Sequence, residues 1–423
     1  MRILVVGGGG REHAIIKKIA ENKNVTEIFA LPGNGGIAKD ATCVDIKATD
    51  IDGIVAFAAE NNIDYAIVAP DDPLVLGCVD ALNEKGIPCF GPSKNAAIIE
   101  GSKAFSKELM KKYGIPTADY EIFDDMEKAL AYLDTAPIPT VIKADGLALG
   151  KGVIIADTRD KAKDAVRSMM SEGMFGKSGE TVVIEEFLEG PEVSVLSFTD
   201  GKTVVPMISS MDHKRALDGD RGLNTGGMGT IAPNPFYTED VAKECYDKIF
   251  VPTVKAMNAE GRTFKGCLYF GLMLTKNGPK VIEYNCRFGD PETQVVLPLL
   301  KSDLLTVMQA VTDERLDETE VVFGTESACC VIMASAGYPE KYEKGFEINI
   351  PEEADKYVYV AGAAKRDGRL VTSGGRVLGV TRIASSLEDA IKLAYGEVEK
   401  ISFGGSFYRK DIGKRALSAK GEC

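Results

Sequence analysis

The chain has no tryptophan, only two histidines among 423 residues, and aromatic residues at 7%. His13 and His213 are too few for a zinc site of the usual Cys/His kind, and a Ser-His-Asp triad would have to recruit one of them. The nine cysteines contain no C-x-x-C pair, and Cys329 and Cys330 are adjacent. That usage excludes a disulfide framework and predicts reduced, mostly buried thiols in a cytoplasmic protein. No apolar run approaches the about 18–20 residues that span a bilayer. The four apolar residues between Arg2 and Gly7 read as too few for a secretory leader. Positive charge is also in deficit, with 50 Lys+Arg against 63 Asp+Glu and a net charge of −13. This argues against nucleic acid or an anionic membrane as the main partner. An anionic small substrate stays open, because local amides and cations can hold one.

What is present suits a multidomain enzyme. The length predicts two to four domains, and 45% hydrophobic with 27% charged residues is an ordinary globular balance. Over the first hundred residues, buried-strand runs at 3–6, 27–30, 65–69 and 88–90 alternate with helical patterns at 51–60 and 73–85. Such alternation predicts a parallel α/β sheet covered on both faces. A helix over 102–113 stops at Gly114, with Pro116 beyond it. A small α+β unit follows, with strands at 119–123, 140–143, 153–156 and 181–187 and helices at 126–133 and 161–171. Strands at 193–198, 204–208, 266–275 and 280–285 flank a helix over 239–259, and the last hundred residues carry strands at 328–334, 356–363 and 376–382 with a helix at 387–399.

Several segments carry chemistry. Gly7–Gly10 lies where a strand hands over to a helix, a place where backbone N–H groups meet anions or where the chain merely turns. The dinucleotide fingerprint G-x-G-x-x-G fails in both registers, ending on Glu12 or His13, which disfavours a hydride-transfer cofactor. Lys143 closes an apolar strand and leads into the glycine-punctuated loop 145–152, which carries Lys151. This is not a Walker A loop; it reads as a flap over a triphosphate or as an exposed hairpin. Glu185-Glu186-Phe187-Leu188 ends a β-run, as a nucleotide-facing strand or a charge-protected edge. Over 281–287, alternation places Glu283, Asn285 and Arg287 on one face and Ile282, Tyr284 and Cys286 on the other. Glu283 and Asn285 offer hard oxygens suited to magnesium, and Arg287 offers a fork for carboxylate or phosphate. A solvated strand face is the plainer reading, but the polar run continues through Asp290 to Gln294. The segments around Asp212-His213-Lys214-Arg215 and 224–229 read as long, irregular and functional, with Lys214 placed to meet a phosphoryl group and Asp212 a substrate amine.

In this order the segments resemble the ATP-grasp ligases and, within them, the phosphoribosylamine–glycine ligase family. The matching runs are 8–13, 32–34, 101–103, 143–152, 185–188, 212–215, 224–229, 287–294 and 409–413, spread almost end to end. The resemblance implies an N-terminal Rossmann-like substrate domain (1–101), a two-lobed ATP-grasp region (102–320, small lobe about 117–188) and a C-terminal α+β domain (321–423). It implies ATP-dependent joining of glycine to 5-phosphoribosylamine in de novo purine synthesis, with Mg2+ or Mn2+. No nucleic-acid or membrane partner is implied, and a monomer is expected. Carried onto this chain, Lys103, Lys143 and Lys151 correspond to phosphate contacts. Glu185, Glu186, Phe187 and Leu188 correspond to the adenine strand, and Glu192 to a ribose partner. Glu283 and Asn285 correspond to metal ligands. Gly8, Gly9, Gly10, Arg11, Asp212, Arg287 and Asp290 correspond to the substrate pocket, and Lys214, Arg287 and Asp290 are the expected catalytic contacts. The chain departs from the family pattern at Asp71, where a glutamate is usual, at Leu149 and Leu223, and in strand 267–275, which lacks an acidic metal ligand.

Overall fold

The computed structural model describes residues 1–148, 152–171 and 176–419. Its first sheet is wholly parallel and five-stranded. Strand Arg2–Gly7 lies at its centre, between Glu27–Pro32 and Tyr65–Val68, with Thr42–Cys43 and Cys89–Phe90 at the edges. Ile3, Leu4, Val5 and Val6 are completely buried, as an unbroken apolar run in a two-sided sheet requires. Gly7, at φ +120, turns the chain from this strand toward helix Gly10–Ile19. The helix expected over 73–85 is two helices, Asp71–Leu76 and Cys78–Glu84. Gly77, at φ +95, takes the left-handed conformation that ends the first of them.

The middle of the chain builds two antiparallel four-stranded sheets that face each other across a cleft. The smaller has the order Tyr120–Phe123, Val182–Glu186, Thr140–Ala144, Val153–Ala156. Helices Met126–Leu133 and Arg159–Met170 cover it through a core that includes Leu133, Ile142, Val166 and Ile184. The larger has the order Val204–Pro206, Glu192–Thr199, Gly266–Thr275, Gly278–Asn285. The single helix expected over 239–259 is interrupted: Glu239–Cys245 and Val251–Ala259 are joined by a π-helical turn over Tyr246–Phe250.

The third sheet mixes distant parts of the chain. Met211–Asp212 and Gly229–Ala232 add to Ser327–Ser335, Arg376–Ala384 and Val358–Val360, and Ser406–Phe407 pairs with Ser327–Ser335 as well. Between those first two strands, Arg215–Leu217 and Arg221–Asn224 form a two-stranded hairpin. The segment read as irregular is therefore built of short strands. The short lengths of these strands conceal them, and one of them, Gly229–Ala232, pairs on its far side with Ser327–Ser335, about a hundred residues further on. Among the described residues, no helix is long and apolar enough to cross a membrane.

Candidate functional site

The sheets enclose a cavity of about 810 Å³. Lys103, Lys143, Glu185, Glu186, Phe187, Leu188, Glu192, Asp212, Lys214, Glu283, Asn285, Arg287, Asp290 and Arg11 all line it. Gly8, Gly9 and Gly10 stand just behind: a Cβ on Gly9 would lie 3.4 Å from an Asp290 carboxylate oxygen. Lys151 and Leu149 fall outside the described residues.

At one end, strand Thr140–Ala144 and helix Lys103–Tyr113 present a lysine-rich wall. Glu185 is buried and meets two cations, Lys143 Nζ at 3.0 Å from Oε1 and Lys107 Nζ at 3.0 Å from Oε2. Lys143 also donates to the Ile282 carbonyl at 2.8 Å, and Lys107 to Thr117 Oγ1 at 2.8 Å. Burial, only partly offset by Glu185, lowers Lys107 to about 8. Burial and then the neighbouring Lys143 lower Lys103, whose ammonium donates to the Gly146 carbonyl at 2.9 Å. The Glu186 carboxylate meets Lys280 at 3.2 Å. Ala118, Leu188, Met273 and Ile282 form an apolar cluster beside this wall, suited to a flat ring.

Ile282 sits there for a reason that alternation alone conceals. The pairing of Gly266–Thr275 with Gly278–Asn285 slips by one residue between Gly271 and Leu272, so Gly271 faces Glu283 and Leu272 faces Val281. This β-bulge adds a residue to one strand. Val281, Tyr284 and Cys286 enter the core while Ile282 joins the cavity-side cluster, not the face of Tyr284 and Cys286 as expected. Glu283 and Asn285 both remain on the cavity.

Lys214 Nζ lies 3.2 Å from Glu283 and 3.6 Å from Glu192. Lys214, against the opposing effect of burial and with help from Lys143 and Lys103, holds the Glu283 carboxyl down to about 2. Glu283 is therefore a firm anion, and the Asn285 amide oxygen lies next to it along the strand. The pair fits a divalent cation that takes its other ligands from phosphate and water. Among the described residues, no group of three or more His, Cys, Asp or Glu side chains converges to hold a metal unaided. Strand Gly266–Thr275 contributes space in place of an acid: a Cβ on Gly271 would lie 2.8 Å from Glu283 Cγ.

The opposite end is rich in arginine. Arg287 Nη2 bonds Glu100 Oε1 at 2.9 Å and donates to Asn285 Oδ1 at 3.4 Å. The other Glu100 oxygen accepts from the Cys286 amide at 2.7 Å. Arg376 donates from Nη1 to the carbonyls of Gly226 at 2.7 Å and Asp290 at 2.8 Å, and its Nη2 lies 3.5 Å from Asp290 Oδ2. Burial works to raise Asp290, but Arg376 and Arg11 bring it below the usual carboxylate range. Asp71 behaves alike, with burial overcome by Arg287 and Arg11, so the shorter acid still takes part in this charge network. Asp212 goes the other way: burial, and then the charge of Glu292, raise it well above the ordinary range. Glu292 accepts from the hydroxyls of Ser194 at 3.3 Å and Tyr269 at 3.2 Å.

Sequence reasoning passed over Glu100, Lys107, Glu292 and Arg376. Glu292 was within reach, since it belongs to the polar run 287–294. The others sit on helices or in the C-terminal third, and only tertiary folding brings them to the cavity.

Comparison with known proteins agrees with this geometry. Residues 1–100 match the family model "Phosphoribosylglycinamide synthetase, N domain". Residues 101–293 match its ATP-grasp (A) domain and residues 328–415 its C domain. A phosphoribosylamine–glycine ligase of Caldanaerobacter subterraneus subsp. tengcongensis is 49% identical over 413 residues, 97% of this chain and 99% of the relative. One of Clostridium acetobutylicum is 48% identical over 414 residues, 98% of this chain and 100% of the relative. The crystal structure of the Thermotoga maritima phosphoribosylamine–glycine ligase superposes with a TM-score of 0.83 at 35% identity, covering 97% of this chain and 100% of the other. Carrying all three domains of that enzyme in order, the chain belongs to the phosphoribosylamine–glycine ligase family, ATP-grasp ligases that work with ATP and divalent metal ions.

Proposed function

We infer that this chain joins glycine to 5-phosphoribosylamine, converting ATP to ADP and phosphate and yielding glycinamide ribonucleotide in de novo purine synthesis. The observation that carries the reading is the polarity of the cavity. A lysine wall with an apolar shelf lies at one end, an arginine–aspartate wall at the other, and Glu283 and Asn285 between them. The first suits adenine and phosphates, with Glu192 toward the ribose, and the second suits a sugar phosphate and a carboxylate.

The chemistry follows from the substrates. A carboxylate is a poor acyl donor because oxide is a bad leaving group. Transfer of the γ-phosphoryl to the glycine carboxylate gives a mixed anhydride, glycyl phosphate. The amine of phosphoribosylamine attacks its carbonyl carbon, the C–O bond to phosphate breaks, and the amine proton is lost as the amide forms. No protein nucleophile is needed, in keeping with the scarcity of histidine. Lys103, Lys143 and Lys214 neutralise phosphate charge and hold the groups in line, so rate comes from placement and electrostatics. A bound Mg2+ or Mn2+ on Glu283 and Asn285 supplies further neutralisation of the phosphate oxygens. The raised Asp212, beside Lys214, is placed to receive the substrate amine. We propose a monomer as the working unit. The described cysteines are free thiols, which supports a reducing, cytoplasmic setting.

The test is ADP release that requires both glycine and phosphoribosylamine, with 18O in the glycine carboxylate. One labelled oxygen should leave with phosphate. Label retained wholly in the amide product would refute acyl-phosphate activation, and ADP release with formate or bicarbonate in place of glycine would refute the choice of acid.

A further inference from the structure

One buried arginine outside the cavity remains without a role. Arg409 is 2% exposed and does not line the cavity. All three of its guanidinium nitrogens are engaged: Nε and Nη2 donate to the two Asp411 oxygens at 2.8 and 2.9 Å, and Nη1 donates to the Arg215 carbonyl at 3.0 Å and to Asp220 Oδ1 at 2.9 Å. The neighbouring backbone joins in. The Gly219 amide donates to Asp411 Oδ2 at 2.8 Å, and the Lys410 amide donates to Asp218 Oδ1 at 2.8 Å. The Gly413 amide donates to His213 Nε2 at 3.1 Å, which fixes the tautomer so that Nδ1–H donates to the Gly229 carbonyl at 3.1 Å. Burial, reinforced by Arg409, lowers His213 to about 4, so the ring stays neutral in this role near pH 7.

These bonds bracket one residue. Lys214 has His213 pinned on one side and the Arg215 carbonyl pinned on the other, and its own carbonyl accepts from the Thr225 amide at 2.8 Å and hydroxyl at 2.9 Å. Its side chain is left to reach Glu283. We propose that Arg409, with Asp411, is a positioning residue for the ligase reaction: it clasps the Arg215–Leu217/Arg221–Asn224 hairpin to the C-terminal segment and thereby fixes Lys214 over the reacting phosphoryl group. The proposal rests on the role assigned to Lys214 above. A long, flexible lysine delivers a directed charge only if its backbone is held, and a displacement of about 1 Å at a reacting centre costs on the order of 100-fold in rate.

The test is a double-mutant cycle on the full chain. Arg409→Met should lower kcat roughly 10- to 100-fold with KM for ATP little changed. In a Lys214→Ala background the same substitution should lower kcat by less than about 3-fold, because the group being positioned is gone. Equal fold-losses in both backgrounds would reduce Arg409 to a stability role and overturn the proposal, as would unchanged kcat. Should Arg409→Met fail to fold, Asp220→Ala, which removes an exposed partner of the clasp, carries the same cycle with a smaller loss and the same non-additivity. Amide hydrogen exchange gives a readout independent of turnover. Residues 213–217 should exchange at least about tenfold faster in either variant, and unchanged exchange there would sink the clasp even if the assigned reaction stood. Absence of glycine-dependent ADP release in the unaltered chain would sink the functional reading instead.

Discussion

The two ends of the cavity hold opposite charges in different ways. At the lysine-rich end the cations are point charges on flexible stems, and Glu185 is shared between Lys107 and Lys143. At the opposite end the cations are arginines, whose planar forks fix Glu100, the Asp290 carbonyl and the Gly226 carbonyl in set directions. The difference matches the ligands proposed for each end. On the function proposed above, the lysine end takes the triphosphate, whose charge exceeds that of one carboxylate and suits ammonium groups on flexible stems. On the same proposal the arginine end takes a sugar phosphate and a carboxylate, fixed shapes that a fork organised in advance matches.

The sharpest way to break this contrast lies at the boundary between the ends. Glu283→Ala should remove metal-dependent turnover, a loss on the order of 100- to 1000-fold if it acts as an electrostatic keystone. Circular dichroism should remain that of the parent, and near-normal activity would void the ligand assignment. Next in size, Arg287→Lys replaces a fork with a point charge and strands part of the buried Glu100. A charge-assisted bond is worth about 1.5–3 kcal/mol, so KM for phosphoribosylamine should rise roughly 10- to 100-fold while KM for ATP holds; a larger change in the ATP value would mean the two ends are not separable. Lys107→Met should raise KM for ATP several-fold. Because Lys107 loses its proton near pH 8, the parent's KM for ATP should climb above that pH and the variant's should not. Gly271→Ala should shift the metal concentration for half-maximal activity a few-fold upward by crowding Glu283, with thermal stability read in parallel. The smallest effect concerns His213. Its folded pKa of about 4 lies below the ordinary 6.5, so its contribution is complete above pH 6.5 and is lost as pH falls toward 4. His213→Asn should flatten the melting temperature against pH over that window.

The alternation of apolar runs and helical patterns was enough to read the parallel sheet and most strands of the two lobes, because buried strands declare themselves by composition. Glu283, Asn285 and Arg287 were legible through period-two spacing. Ile282 was not, since a bulge depends on the partner strand. The strands Met211–Asp212 and Gly229–Ala232 were hidden because they are short and their pairing is non-local: the first pairs with the second, and the second with Ser327–Ser335. Glu100, Lys107 and Arg376 stayed invisible for the same reason: their meaning is set by neighbours remote in the chain. Asp71 shows the converse, a residue whose departure from the family pattern was plain and whose continued coupling to Arg287 and Arg11 emerged only in three dimensions.

That interleaved third sheet has a practical consequence for anyone dividing the protein. A fragment ending near residue 320 would leave Gly229–Ala232 with an open, apolar ladder where Ser327–Ser335 belongs, a ready template for self-association. The last hundred residues are stitched into the catalytic half, and split-protein or tagging schemes should break the chain elsewhere.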